Sequence, residues 1–115
     1  MKRIGKHTVR LEKPVYIISA SSTAGKKEGE GPLGSLFDKV LEDDMYGEQS
    51  WEKAESKLVK DTFERAIKKS GMTKKNIDLC ISGDLLNQVS ASTFGVRDLA
   101  IPFLGIYGAC STMGE

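Results

Sequence analysis

The chain has 115 residues, of which 39% are hydrophobic and 29% are charged. This composition fits an ordinary globular domain and excludes an intrinsically disordered protein. The formal net charge is +1, from 17 basic and 16 acidic residues, so no overall field predicts binding to nucleic acid or to an acidic lipid surface.

The N-terminal residues 1–7 are locally basic, but no apolar segment follows them, so we expect no secretory signal. No run approaches the roughly 18 apolar residues of a membrane span. The two cysteines, Cys80 and Cys110, form neither a disulfide framework nor a zinc-ligand spacing. We therefore expect an intracellular protein with reduced thiols and no bound metal.

The first part of the chain alternates apolar runs with turn-forming residues. Residues 8–11 predict a short edge strand, and the compact apolar run 15–18 predicts a buried strand. Residues 25–34 hold four glycines and one proline, which indicates a loop. Ser35 then predicts the cap of a short helix that reaches Leu41.

The strongest helical pattern lies between Ser50 and Gly71. Apolar residues recur at i, i+3 and i+4 from Trp51 to Ile67, which is typical of a helix with one buried face. Ser50 provides the N-cap, and Gly71 provides a left-handed stop.

The remaining elements continue the alternation. Residues 73–76 predict a turn, 77–82 a second buried strand, 90–99 a helix that Gly95 weakens, and 103–107 a third strand. Strands alternating with helices indicate an α/β fold with a mixed, mostly parallel sheet and flanking helices.

In open α/β sheets, ligands bind beyond the carboxyl ends of the strands. Asp84 and Asn87 follow the second buried strand and Cys110 follows the third, so we expect the three to face one crevice. For Asp84 and Asn87, capping of a turn remains an equal alternative. Cys80 lies inside an apolar strand and is expected in the core.

Cys110 lies in the segment Gly108–Thr112, between an apolar strand and an expected helix start. A thiol at a helix N-terminus ionises more easily and can act as a nucleophile. The alternative is a small buried hydrophobic residue. Nothing brings the one histidine, His7, to Cys110, so the sequence predicts no Cys–His dyad.

The turn Gly108–Cys110 after an apolar strand resembles the nucleophile turn of the thiolase and ketosynthase superfamily, and four segments together resemble the stage V sporulation protein AD family. They are Gly31–Gly34 with Phe37–Asp38, Trp51–Glu52 with Ala54–Glu55, Ser82–Gln88, and Ile101–Leu104 with Gly108–Thr112. The resemblance implies a thiolase-like fold with two related halves in a longer chain. Residues 1–115 would then be the N-terminal part of a thiolase-like domain, truncated after the nucleophile turn.

The resemblance also implies a role in sporulation. It implies that the protein binds dipicolinic acid and takes part in its uptake into the developing spore, beside membrane proteins of the same operon. It implies a full-length homodimer, peripheral at the inner membrane of the spore, with no nucleic-acid partner. No cofactor is expected, except calcium as the dipicolinate chelate.

The site residues carried over by the resemblance are few. Cys110 matches the nucleophile position, and Ser111 and Thr112 offer backbone N–H groups and hydroxyls to a ligand carboxylate. Asp84 and Asn87 belong to the matching motif. We expect a binding protein rather than a catalyst; the alternative is an acyl-thioester-dependent condensing enzyme with Cys110 as nucleophile.

Overall fold

The computed structural model describes residues 1–85 and 88–115. Within these residues the strands are β1 (Lys2–Ile4), β2 (Thr8–Arg10), β3 (Thr23–Ala24), β4 (Lys39–Val40), β5 (Cys80–Ser82) and β6 (Phe103–Gly105). The α-helices are α1 (Lys26–Gly29), α2 (Trp51–Ser70) and α3 (Ser90–Arg97). Short 3₁₀ helices cover Gly34–Leu36, Lys74–Asn76 and Ala109–Gly114.

The strands pair two by two. β1 and β2 form an antiparallel hairpin, whereas β3 with β4 and β5 with β6 form parallel pairs. The α/β class is therefore confirmed, and two of the three pairs are parallel. In the described part of the chain, the strands form these three separate pairs and not one continuous sheet.

Helix α2 has the bounds that its sequence predicts. The Ser50 hydroxyl accepts a hydrogen bond from the Lys53 backbone N–H at 3.3 Å. At the other end Gly71 has φ +72°, and its N–H donates to the Lys68 carbonyl at 3.2 Å. Both ends of the helix thus find local partners for their open backbone groups.

The core lies where α2 and α3 meet the β5–β6 pair. Cys80, Val96 and Leu99 are buried there, which confirms Cys80 as a core residue. Gly95, which weakened the helix prediction, faces α2 directly. A Cβ atom at this position would lie 2.6 Å from the Ser56 carbonyl oxygen of α2, so the helices pack this closely because Gly95 has no side chain.

The predicted buried strand at residues 15–18 is wrong. These residues are exposed and have no strand neighbour, and Ile17 is 91% exposed. The parallel pairing with β4 begins later, at Thr23, whereas the Ser19 hydroxyl donates to the Ala66 carbonyl of α2 at 2.8 Å. Segment 15–18 therefore has no hydrogen-bonded ladder.

The predicted helix from Ser35 to Leu41 is also wrong. Its first residues form only the 3₁₀ turn Gly34–Leu36, and Lys39–Val40 is strand β4. Hydrogen bonds from the Ser22 N–H to the Asp38 carboxylate at 2.9 Å, and from the Lys39 N–H to the Ser22 carbonyl at 3.2 Å, draw this segment onto β3. Sheet pairing there replaces the helical hydrogen bonds.

The later elements are shorter than predicted. The second strand begins at Cys80 rather than Ile77, the third ends at Gly105 rather than Tyr107, and α3 ends at Arg97. These differences affect the ends of elements and not their order. The edge strand at residues 8–10 and the turn at 74–76 are confirmed.

Candidate functional site

A cleft of about 560 Å³ lies beyond the carboxyl ends of β5 and β6. Because these strands are parallel, with Ser82 paired to Gly105, the segments that follow them leave the sheet at the same edge. Three predicted site residues, Asp84, Cys110 and Thr112, line the cleft. The full lining consists of Ile81, Ser82, Gly83, Asp84, Leu85, Ile106, Ala109, Cys110, Thr112, Met113 and Glu115.

Asp84 is buried and caps α3. One carboxylate oxygen accepts from the Val89 N–H at 3.1 Å, and the other accepts from the Ser92 N–H at 2.7 Å. A carboxylate at a helix N-terminus receives otherwise unpaired N–H groups and a favourable dipole. The capping alternative that the sequence left open for Asp84 is therefore observed, on a residue that also borders the cleft.

Asn87, the other polar candidate after β5, lies outside the described residues. Its place relative to the cleft therefore stays a prediction.

Cys110 follows a strained turn. Ile106 extends the ladder by donating its N–H to the Ser82 carbonyl at 3.0 Å, and Ala109 then has φ +49°. A left-handed conformation costs a non-glycine residue roughly 1–2 kcal/mol, and such strain clusters at functional sites. In this chain Cys110 is exposed and not buried.

The helix at this turn is shorter and tighter than the sequence indicates. It is the 3₁₀ helix Ala109–Gly114, which begins one residue before Cys110. The Ser111 N–H donates to the Gly108 carbonyl at 2.9 Å, and the Ser111 hydroxyl donates to the same oxygen at 2.7 Å. The Ser111 N–H would have to leave Gly108 before it could bind a ligand carboxylate.

Thr112 closes the same turn. Its hydroxyl donates to the Ala109 carbonyl at 2.8 Å and accepts from the Gly108 N–H at 3.1 Å. A Cβ atom on Gly108 would overlap the side chains of Ser111 and Glu115. The Gly–Ala–Cys–Ser–Thr sequence therefore folds into a compact loop in which the residues around Cys110 are hydrogen-bonded to one another.

The two thiols have opposite environments. Burial raises the pKa of the Cys80 thiol, which keeps it protonated and unreactive. Cys110 is exposed on the cleft wall. His7 lies in the exposed turn between β1 and β2, apart from the residues that line the cleft.

Sequence reasoning missed two features of the cleft. Ile106 and Met113 give it apolar walls, and Glu115 gives it a second carboxylate beside Asp84. Ile106 directly follows the end of β6, whereas the sequence predicts a strand over residues 103–107 and so places Ile106 inside it. Both charged side chains on the lining, Asp84 and Glu115, are acidic.

Within residues 1–85 and 88–115, no group of three or more histidine, cysteine, aspartate or glutamate side chains is arranged to hold a metal ion. Among the same residues, no helix combines the length and apolarity needed to cross a bilayer.

The sequence matches the family model described as Stage V sporulation protein AD over residues 5–115. It is 47% identical, over 115 residues, to Stage V sporulation protein AD of Bacillus subtilis (strain 168). That match covers the whole of this chain and 34% of the relative, so the chain spans about a third of the relative's length. The family match confirms the resemblance that the four sequence segments indicate, and the chain belongs to the stage V sporulation protein AD family.

Proposed function

We propose that this protein binds dipicolinic acid in the cleft beyond β5 and β6 and takes part in its uptake into the developing spore. The observation that carries the proposal is the meeting of Asp84, Cys110 and Thr112 around one cleft of about 560 Å³. That volume is typical of small-molecule pockets. Membership in a sporulation family makes a spore-specific ligand the first candidate.

The cleft walls suit a flat aromatic ring. Leu85, Ile106 and Met113 contribute apolar surface, and a methionine thioether makes favourable contacts with ring edges. Cys110 and Thr112 add polar atoms on one side. A small number of polar groups in a mostly apolar cleft fixes the orientation of a small ligand.

The charges of the cleft favour the calcium chelate over free dipicolinate. Asp84 and Glu115 repel a dianion, because like charges at short range are unfavourable. Calcium bound to dipicolinate neutralises the ligand and prefers oxygen donors, which Glu115 supplies, since both oxygens of Asp84 already accept backbone N–H groups. A thiolase-like fold with two halves, as the resemblance implies, would add further residues to this site.

Calorimetry with this chain tests the proposal. We expect dipicolinate to bind more tightly with calcium present than without it. A Cys110→Trp substitution fills the cleft and should weaken binding by about tenfold or more, which corresponds to about 1.4 kcal/mol. Cys80→Ala, at the other thiol, should leave the affinity for dipicolinate unchanged. If the Cys110→Trp variant binds dipicolinate as tightly as the unaltered chain does, this cleft is not the binding site.

A cellular measurement tests the uptake role. Spores that carry Cys110→Ala in the corresponding full-length protein should contain less dipicolinic acid than spores with the unaltered protein. Unchanged dipicolinic acid content, together with unchanged affinity in vitro, would exclude Cys110 from both steps.

A second candidate function is an acyl-thioester-dependent condensing enzyme. The observation in its favour is the exposed thiol of Cys110 after the strained Ala109, since nucleophiles are often presented on such turns. Nucleophilic cysteines normally need a base, and His7 lies in the hairpin turn. Mass spectrometry after incubation with acyl thioesters separates the two candidate functions. An acyl adduct on Cys110 supports a condensing enzyme, and the absence of an adduct supports a binding protein.

Membership in a sporulation family implies a spore-related location. We propose, more specifically, a peripheral position at the inner spore membrane beside membrane proteins of the same operon. We also propose a homodimer for the full-length protein, with no nucleic-acid partner. Co-purification from detergent-solubilised spore membranes tests the location and the protein partners together.

A further inference from the structure

Residues 1–13 form a surface that we call the basic hairpin. It contains β1, β2 and the residues that follow them, and all of its residues are exposed. It holds five of the 17 basic residues and one of the 16 acidic residues, which leaves 12 basic and 15 acidic residues in the rest of the chain. The near-zero net charge therefore hides a strong local asymmetry.

The register of the hairpin places like charges together. Lys2 lies directly opposite Arg10, and side chains at paired positions share a face. Such a pair destabilises a two-stranded sheet unless an anion lies between the charges. The acidic residue, Glu12, pairs with the N-terminal amine at 2.6 Å rather than with either of these side chains.

The other basic side chains of the hairpin leave its charge exposed as well. Arg3 donates to the Lys6 carbonyl at 2.5 Å, which uses a neutral acceptor. Within the part of the chain that the structure describes, Lys2, Lys6 and Arg10 form no salt bridge. The positive charge of the basic hairpin is thus available to an external anionic partner.

Aliphatic side chains alternate with these charges. Met1, Ile4, Val9 and Leu11 are all exposed on the same thirteen residues. The sequence of residues 1–13 contains no phenylalanine, tyrosine or tryptophan. Surfaces that bind single-stranded nucleic acid combine positive charge with aromatic stacking, whereas bilayer interfaces take up aliphatic side chains together with lysine and arginine.

We propose that the basic hairpin docks on the anionic surface of a lipid bilayer through the face that carries Lys2, Ile4 and Arg10, with the two basic side chains against the headgroups and Ile4 in the interface. This inference rests on the proposed membrane location and names the surface that would produce it. Each basic residue near an anionic bilayer strengthens binding about fivefold. The rest of the chain has more acidic than basic residues, so an anionic membrane repels it.

Vesicle co-sedimentation of the 115-residue chain tests the inference. One set of vesicles contains equal parts of phosphatidylcholine and phosphatidylglycerol, and the other contains phosphatidylcholine alone. We expect binding to the anionic set, weakened by salt, and a roughly 25-fold loss in the Lys2→Ser/Arg10→Ser variant, from about fivefold per residue. Ile4→Ser, on the same face as Lys2 and Arg10, should also weaken binding, at unchanged charge.

The matched control is Lys26→Ser/Lys27→Ser. It removes the same charge from two exposed residues of α1 and should bind as the unaltered chain does. If the unaltered chain does not bind anionic vesicles, the docking proposal fails, whereas the membrane location is tested separately by co-purification with its protein partners. If the unaltered chain binds but Lys2→Ser/Arg10→Ser and the control variant lose binding equally, the basic hairpin is not the docking surface.

The remaining outcome concerns the class of partner. Tighter binding of a single-stranded oligonucleotide than of anionic vesicles, at the same ionic strength, would overturn a lipid surface as the occupant. Calcium dipicolinate binding is measured without vesicles, so its result is independent of all these outcomes.

Discussion

The carboxylate of Asp84 accepts a hydrogen bond from the Ser92 backbone N–H at 2.7 Å, and both residues are buried. This bond joins the end of β5 to the first turn of α3. The Ser92 hydroxyl in turn accepts from the Ser82 hydroxyl of β5 at 3.3 Å. The wall of the cleft and the start of α3 are therefore one hydrogen-bonded unit.

Removing the Asp84 carboxylate should destabilise the fold. Asp84→Ala leaves the buried N–H of Ser92 without its acceptor, and we expect a loss of about 1–3 kcal/mol in the free energy of unfolding. Urea denaturation followed by circular dichroism measures it. The exposed Asp78→Ala is the control and should change stability by less than about 0.5 kcal/mol. Equal midpoints for the two variants would contradict the capping role.

Gly95→Ala should also destabilise the chain, against the usual direction. In an open helix, alanine in place of glycine stabilises by about 1 kcal/mol. Here the new Cβ would meet the Ser56 carbonyl oxygen at 2.6 Å and the Val59 Cβ at 3.1 Å, and one of these is backbone. We expect a net loss of about 1–3 kcal/mol from overpacking.

The control for Gly95 is Thr93→Ala in the same helix. Thr93 is exposed, so its replacement does not touch α2, and the unfolding midpoint should stay close to that of the unaltered chain. A rise in stability for Gly95→Ala would show that the two helices move apart without cost.

Local signals in the sequence were sufficient for α2 and for the turn at Gly71. Ser50 and Gly71 act on their own neighbours, within three or four residues, so spacing along the chain determines both ends. The burial of Cys80 follows in the same way from the apolar strand around it. These features need no knowledge of distant contacts.

Segments that depend on distant partners were harder to predict. Residues 15–18 have the composition of a strand but lack a strand neighbour in the described structure. Residues 35–41 have the cap and spacing of a helix, but β4 within them pairs with β3, because Asp38 and Ser22 bond to each other. The 3₁₀ turn at Cys110 depends on bonds from Ser111 and Thr112 back to residues 108 and 109, which strand–helix patterns do not reveal.

Asp38 should make stability depend on pH in the acid range. Hydrogen bonds from Lys69 at 2.7 Å and from the Ser22 N–H at 2.9 Å hold the pKa of its carboxyl below the ordinary value of 3.8. Its stabilisation is therefore complete above that value and is lost as the pH falls through the lowered native pKa.

Thermal melts of the unaltered chain and of Asp38→Asn measure this effect. The variant should melt at a lower temperature at neutral pH, and the difference between the two melting temperatures should shrink as the pH falls below 3.8. Asp78→Asn controls for the loss of one carboxylate. A difference in melting temperature that stays constant across this range would show that the charge of Asp38 does not contribute to stability.

Segment 15–18 should promote association of the chain. Val15, Tyr16 and Ile17 are 78%, 76% and 91% exposed, and contiguous exposed apolar residues favour self-association. Sedimentation velocity should show larger species as concentration rises, and fewer of them in Ile17→Lys. Leu36→Lys, at an exposed residue elsewhere, is the control. A monomer at all concentrations would contradict the prediction.

Alkylation of the folded chain should distinguish its two thiols. Iodoacetamide should add one group under native conditions, at the exposed Cys110, and two after denaturation, since Cys80 is buried and burial raises the pKa of its thiol. Cys110→Ala should then take up none under native conditions, and Cys80→Ala should still take up one. Intact-mass spectrometry counts the groups.

The same reaction reports on the cleft. Cys110 lines it together with Ile106 and Met113, so a ligand held between these side chains covers the thiol. Calcium dipicolinate should therefore slow the alkylation of Cys110, whereas calcium alone should not. Rapid alkylation at a ligand concentration that calorimetry shows to be saturating would place dipicolinate elsewhere on the protein, because a thiol on the wall of an occupied cleft cannot stay equally open to the reagent.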